Sequence, residues 1–170
     1  MSNLSDVPDF GPVEDLLLGI FRRYFAGMDV EIDTEFHEGM GLPAIVARAD
    51  RRSGTVAFSS PDDRFMKPQV ISVSAICEGP NADADASHLI EAARIALRVA
   101  EQQQWVVPFV GHIAHIENST PAARASDWAT STGVVQYASL PKGATRYEAI
   151  FRLMLRPPKG GSRNPFIASA

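Results

Sequence analysis

The chain has 170 residues, a formal net charge of −4 and 45% hydrophobic residues. These values suit one globular domain with its own core, exclude a wholly disordered chain and argue against a protein held to nucleic acid by general charge. The single cysteine, Cys77, excludes an intrachain disulfide and a cysteine metal cluster and fits a reducing compartment. We see no signal peptide and no apolar stretch long enough to span a membrane.

Charge is unevenly spread along the chain. Residues 1–40 hold nine acidic and two basic residues, a net of −7, whereas the remainder holds eleven acidic and fourteen basic residues, a net of +3. Two regions of opposite bias predict pairing, either within one subunit or between subunits.

The first predicted elements are a helix and a hairpin. Pro12 suits the first turn of a helix over residues 13–25, where apolar side chains recur every three or four positions. Residues 30–37 alternate between apolar and polar side chains, which predicts a strand. Residues 42–49 read as a second strand that is buried on both faces, and we expect the two strands to form a hairpin.

The middle of the chain predicts a loop, a strand and a second helix. Residues 51–68 are irregular and rich in turn formers, with a short strand expected at 55–58. Residues 70–77 alternate as a strand, with an apolar face and a serine face. After an acidic turn, a helix with an alanine-rich apolar stripe runs to about Gln103.

The last third predicts strands around a long loop. Residues 110–117 read as a strand, and the polar residues 118–133 read as a long exposed loop. Residues 134–140 and 146–156 are expected to form a closing hairpin. Residues 157–170 contain few core-forming side chains and are expected to be a flexible C-terminal tail.

The order of these elements predicts an α+β domain over residues 1–156. Its sheet is expected to be mostly antiparallel or mixed, with about five to six strands and two main helices on one face. Long exposed loops complete this fold, and such loops commonly carry binding residues.

A search for catalytic chemistry finds no recognisable set. His112 and His115 are three apart on a strand, where they would point to opposite faces and could not easily chelate one ion. Cys77 falls on the apolar face of a strand, which favours a buried inert thiol. The chain contains no GxSxG, GxxxxGK[ST] or GxGxxG motif. We therefore expect neither an enzyme nor a metal or cofactor site.

Glu31, Asp33 and Glu35 form an acidic stripe along the first predicted strand. One interpretation pairs them with arginines on a neighbouring strand, such as Arg152 and Arg156. The other interpretation is a negative surface that faces a channel.

Arginine and aromatic residues in the loops, the last strand and the tail are the candidates for contacts with other subunits, since these residue types are common interface hot spots. Trp128 has a second interpretation, in which it folds back to cover the core. The candidates are Arg51, Arg52, Phe65, Arg124, Trp128, Arg152, Arg156 and Phe166.

Four stretches in this order resemble the tail terminator proteins of long-tailed, siphovirus-type bacteriophages. They are VEDLLLGIFRRYF, LPAIVARA, PQVISVSAICEG with ADADASHLIEAARIALRVA, and VVQYASLPKGATRYEAIFRLMLRP. The resemblance covers about residues 10–157 and consists of patterns, without catalytic residues to transfer.

This resemblance implies a structural virion protein at the head–tail junction, assembled in the host cytoplasm. It implies a homohexameric ring that caps the tail tube, ends its polymerisation and joins it to the head or neck. The implied partners are other copies of the chain, the tail tube protein and a head or neck connector protein. Genomic DNA would pass through the channel without specific binding, and no membrane is involved.

Three other functions fit the same residues. The nearest is another neck component, a head-closure or tail-completion protein, which shares the ring but meets different partners. A small enzyme with a dispersed active site and a ligand-binding module are the others, and either would be expected to show a tight ligand or a perturbed titrating group in a cleft.

Overall fold

The computed structural model describes residues 10–50, 66–125 and 140–158. Two helices, α1 (Val13–Tyr24) and α2 (Ala82–Gln102), lie on one face of a five-stranded sheet. The strands are β1 (Glu31–Asp33), β2 (Ala44–Ala49), β3 (Lys67–Cys77), β4 (His112–Arg124) and β5 (Thr145–Arg156). Their order across the sheet is β1-β2-β3-β5-β4, with β1 and β2 parallel and all other pairs antiparallel. This arrangement confirms the predicted α+β fold class.

The helices form where their apolar residues predicted them. In α1, Glu14 and Asp15 occupy the first turn and Arg22 and Arg23 the last, an order that complements the helix dipole. Gly27 follows with φ of 83°, a conformation that suits glycine at a helix end. α1 covers β1 and β2, whereas α2 covers the three remaining strands.

The main core lies between the helices and the central strands. β3 and β5 alternate as predicted, so that Val73 and Ala149 are paired and both face the helices. Alanines dominate the buried stripe of α2, and their small size lets the helix lie close to the sheet. The largest buried side chains there are Leu16, Leu17, Ile20, Phe21, Ile45, Ile71, Ile90, Leu97, Ile113, Ile116 and Phe151.

The second face of the sheet carries a smaller apolar cluster and buried hydroxyls. Phe36 and Met40 pack there against Ala44, Val46 and Ile76. Ser72 and Ser74, expected on the more polar face of β3, are also buried. The hydroxyl of Ser72 donates to Glu148 Oε1 at 2.7 Å, so one buried polar group on this face is satisfied across β3 and β5.

The predicted hairpin of residues 30–37 and 42–49 is wrong. β1 ends at Asp33, whose Oδ1 accepts the backbone N–H of Thr34 at 2.6 Å. This local hydrogen bond offers the backbone an alternative to the strand ladder. The chain then carries Phe36 to the second face and returns, so that β1 pairs with β2 in parallel.

The predicted loop at 118–133 is also wrong in its first half. β4 continues to Arg124 and stays paired with β5 through several bulges. Among the described strands β4 stands last in the sheet order and pairs only with β5, and polar residues and Pro121 are tolerated in a strand at such a position. Likewise, β3 begins at Lys67, so Pro68 belongs to a strand and not to the preceding loop.

Several predictions fall outside the described residues. They are the short strand at 55–58, most of the strand at 134–140 and most of the tail at 157–170. The division of the chain into a domain and a tail therefore stays a prediction. Among the described residues, no helix is long and apolar enough to cross a membrane.

Candidate functional site

The β1 end of the sheet is strongly acidic. Residues 26–43 contain five carboxylates and neither lysine nor arginine. Glu31 is exposed, and its Oε2 accepts the backbone N–H of Gly41. Asp33 holds the turn that ends β1, through the N–H of Thr34. These two carboxylates therefore shape the loop at the end of the sheet as well as charging it.

The predicted acidic stripe is only partly formed. Glu31 and Asp33 lie on β1, but Glu35 is exposed beyond the end of the strand. The interpretation that pairs this stripe with Arg152 and Arg156 on a neighbouring strand is wrong, because β2 and β3 lie between β1 and β5. The negative charge at this end consequently stays separate from the arginines of the last strand.

The β4 end of the sheet is held by one carboxylate from α2. Glu101 Oε1 accepts the backbone N–H of Ile116 at 3.1 Å and lies 3.1 Å from Nδ1 of His115. Its Oε2 accepts a hydrogen bond from Arg98 at 2.9 Å. Glu101 thus satisfies an outward-facing backbone donor of the edge strand and ties the end of α2 to β4.

Arg124 fixes the far end of β4 to the start of α2. Its guanidinium lies 3.4 Å from Oδ1 of Asp83, which also accepts the hydroxyl of Tyr147 at 3.3 Å. Both members of the ion pair are exposed, so the pair contributes little to stability. Arg124 is therefore a charged surface group, and its contact with another subunit stays a prediction.

Arg152 and Arg156 are exposed on β5, next to the β4 edge. Together β4 and β5 carry four arginines and two glutamates, a net charge of +2. The strands at this end are therefore net basic, with the α2 carboxylates Asp83 and Glu101 lying against β4, whereas residues 26–43 at the β1 end are net acidic.

The argument that His112 and His115 point to opposite faces is wrong. A bulge between Ile113 and His115 breaks the alternation, and Ile113 and Ile116, three residues apart, are both buried in the main core. By register, His112 and His115 lie opposite Arg156 and Met154, which share one face of β5. The part of the chain that the structure describes nevertheless contains no group of three or more side chains placed to hold a metal ion.

Cys77 ends β3 and is 4% exposed. Burial, followed by the negative charge of Asp85, raises the pKa of its thiol to about 11. A thiol with that pKa is protonated at neutral pH, whereas a nucleophilic cysteine needs a lowered pKa. The chemistry fits the predicted inert thiol.

Five predicted interface residues lie outside the described residues: Arg51, Arg52, Phe65, Trp128 and Phe166. Of the remaining candidates, Arg124, Arg152 and Arg156 lie towards the β4 end, and the acidic ones lie at the β1 end. The structure therefore separates the acidic stripe from the arginines that one interpretation of the sequence paired with it.

An apolar loop beside β4 was not singled out from the sequence. The 105–109 loop joins α2 to β4 and exposes 54% of Val106 and 39% of Phe109. Arg23 lies over the ring of Trp105, 4.1 Å from its centroid. The run WVVPFV between a helix and a strand was the available signal, since exposed apolar side chains in a turn are unusual.

A groove at the opposite end of the molecule was also missed. Its volume is about 370 Å³, and it opens between the end of α1, the N-terminal half of α2 and the start of β2. We refer to it as the β1-end groove. It is lined by Phe25, Met28, Val30, Leu42, Pro43, Cys77, Glu78, Asp85, His88, Leu89 and Ala92.

Compared with models of protein families and with curated proteins, the chain matches none.

Proposed function

We propose that this chain is a bacteriophage tail terminator, a structural subunit whose copies form a ring at the top of a tail. The observation that carries the proposal is the opposite charge of the two sheet ends, acidic beside β1 and basic beside β4 and β5. The α+β fold agrees with the fold that the sequence resemblance implied.

Opposite charges at the two ends of the sheet favour head-to-tail contact between copies. If the β1 end of one copy meets the β4 end of the next, unlike charges face each other at every contact. Such a contact is heterologous, and it leaves one free end of each kind until the ring closes. Two copies joined by identical ends would instead bring like charges together.

The two faces of the proposed ring bind different partners. One of its faces ends the polymerisation of the tail tube protein, and the other binds a head or neck connector protein. The ring size that we propose is six, after the resemblance, and its place is the head–tail junction of the virion after assembly in the host cytoplasm. Genomic DNA crosses the channel without specific binding.

The acidic residues have two possible places in such a ring, and one variant separates them. Replacing Glu31, Asp33 and Glu35 together by lysine abolishes ring assembly if the β1 end contacts the next copy. The same variant forms rings but slows DNA ejection if these carboxylates face the channel, because lysines there attract phosphates. We propose the first arrangement, and unchanged rings with unchanged ejection would contradict both.

The assembly role is tested by electron microscopy of phage made without this protein. The proposal predicts abnormally long tail tubes that lack a head, and normal lengths after the wild-type chain is supplied. Tails of normal length that fail only to join heads would contradict a terminator and would favour a head-closure or tail-completion protein.

A further inference from the structure

The 105–109 loop and the β1-end groove lie at opposite ends of the molecule. The loop precedes β4, which is one outer strand of the sheet. The groove is lined by Val30 and Leu42, which flank β1, the other outer strand. The loop packs against Gly11 and against Gly19 of α1, and Gly111 just beyond it lies beside the backbone of Arg156 at the end of β5, whereas Met28, Val30 and Leu42 of the acidic 26–43 segment line the groove.

We propose that Val106 and Phe109 of one copy insert into the β1-end groove of the next copy. This inference rests on the head-to-tail contact proposed above and gives that contact its apolar anchor. An interface anchored by charge alone would be weak, because exposed ion pairs contribute little and are screened by salt. Buried apolar anchors supply the binding energy that such charges lack.

The loop is held in place before it binds. The backbone N–H of Trp105 bonds to the carbonyl of Ala100, and both Val110 and Gly111 donate to the carbonyl of Val107. Gly111, at φ of 119°, lies so close to the carbonyl of Arg156 that a side chain would collide with it. A fixed loop loses little conformational entropy on binding, which favours its role as an anchor.

The groove matches the loop in polarity and in charge. Its lining is mostly apolar, and Met28 is 58% exposed at its edge. The thiol of Cys77 in its lining is neutral at physiological pH because burial raises its pKa. The lining carboxylates Glu78 and Asp85 suit a loop that is flanked by Arg23.

The loop cannot reach the groove of its own chain. The groove is lined by Leu89 and Ala92 in the N-terminal half of α2, whereas the loop follows the C-terminal end of that helix at Gln102. At about 1.5 Å per residue, the helix keeps Leu89 and Gln102 roughly 20 Å apart. The loop can therefore occupy only the groove of a second copy.

Cysteine trapping tests this contact directly. In a Cys77→Ala background, Met28→Cys at the groove and Val106→Cys in the loop are combined in one chain and treated with a short bis-maleimide. We expect a ladder of covalent oligomers on a denaturing gel, including at concentrations where the free protein is largely monomeric, because trapping is irreversible. Absence of the ladder at millimolar protein would overturn the proposal.

Ile95 provides the matched control, because it is 40% exposed on α2 and lines neither feature. Met28→Cys with Ile95→Cys is expected to give at least tenfold less oligomer, and equal trapping would overturn the proposal. A Met28→Cys chain that is trapped through Phe166→Cys instead would make the C-terminal segment the occupant and would also overturn it.

The outcomes separate this inference from the assembly role. If Met28→Cys and Val106→Cys are cross-linked but phage made without the protein have tails of normal length, the loop–groove contact stands and the terminator function is contradicted. If the tails are abnormally long but the two cysteines are not cross-linked, the terminator function stands and the loop–groove contact is contradicted.

Discussion

The two ends of the sheet are built differently. β1 has three residues and runs into an acidic loop that is shaped by single hydrogen bonds to Glu31 and Asp33. β4 has thirteen residues, is paired along β5 and is tied to α2 through Glu101. β4 contributes Ile113 and Ile116 to the main core, whereas β1 contributes no fully buried side chain. At both ends the exposed charged side chains lie outside the core, where a partner can meet them.

The largest expected effect is on the free energy of unfolding, and it concerns the core at the centre of the sheet. Phe151 is 1% exposed between α2 and the sheet, and Phe151→Ala should reduce the free energy of unfolding by about 3–5 kcal/mol. Thr120→Ala, on the exposed part of β4, should change it by less than about 0.5 kcal/mol. Urea denaturation measures both free energies of unfolding, and similar losses would show that the exposed part of β4 contributes as much to stability as the core does.

A smaller effect should distinguish the two ends from each other. Glu101→Ala leaves the N–H of Ile116 without its acceptor and should cost about 1–3 kcal/mol. Glu31→Ala removes one hydrogen bond at an exposed site and should cost about 0.5 kcal/mol. Thermal unfolding of the two variants tests this order, with Glu101→Gln as the control that keeps an acceptor. A larger loss of stability from Glu31→Ala than from Glu101→Ala would show that the β1 end is the more firmly held of the two.

The smallest expected effect concerns the thiol beside the β1-end groove. The pKa of Cys77 is raised from 9.0 to about 11, so its favourable contribution to folding is fully present below pH 9 and is lost as pH rises through about 11. Alkylation by iodoacetamide should be slow at pH 8 and accelerate toward pH 11. Asp85→Asn should lower the pKa of Cys77 while leaving it above 9.0, because burial is the larger cause. Fast alkylation of the native protein at pH 7 would contradict this account.

Regular patterns in the sequence predicted the elements that depend on one face meeting the core. The three- and four-residue spacing of Ile20 and Phe21 from Leu17 predicted α1, and the alternation around Val73 and Phe151 predicted β3 and β5. These predictions succeed because burial of one face determines both the period and the register.

Features that depend on long-range geometry could not be predicted in this way. β1 pairs with β2 in parallel because the chain between them packs Phe36 and Met40 on the second face of the sheet, although residues 30–37 alternate well enough for a longer strand and a hairpin. The bulge beside His115 and the polar extension of β4 arise from pairing with β5, which local composition does not reveal. The groove and the 105–109 loop arise only when distant segments meet.

The most direct test of head-to-tail contact mixes two charge-reversed variants. One carries Asp29→Lys, Glu35→Lys and Glu38→Lys, which change the net charge of residues 26–43 at the β1 end from −5 to +1, and the other carries Arg124→Glu and Arg156→Glu, which change the net charge of β4 and β5 from +2 to −2. All five side chains are exposed, so the fold should be kept. Molecular masses are measured by light scattering at low salt in the presence of purified tail tubes.

Each variant alone should fail to form a ring, because one of its ends repels the next copy. An equimolar mixture should restore a ring of alternating copies, because every contact again joins opposite charges. Rings formed by either variant alone, or a mixture that stays unassembled while the wild-type chain forms rings, would contradict contact between the two ends. A wild-type chain that stays monomeric with tail tubes would contradict the ring itself.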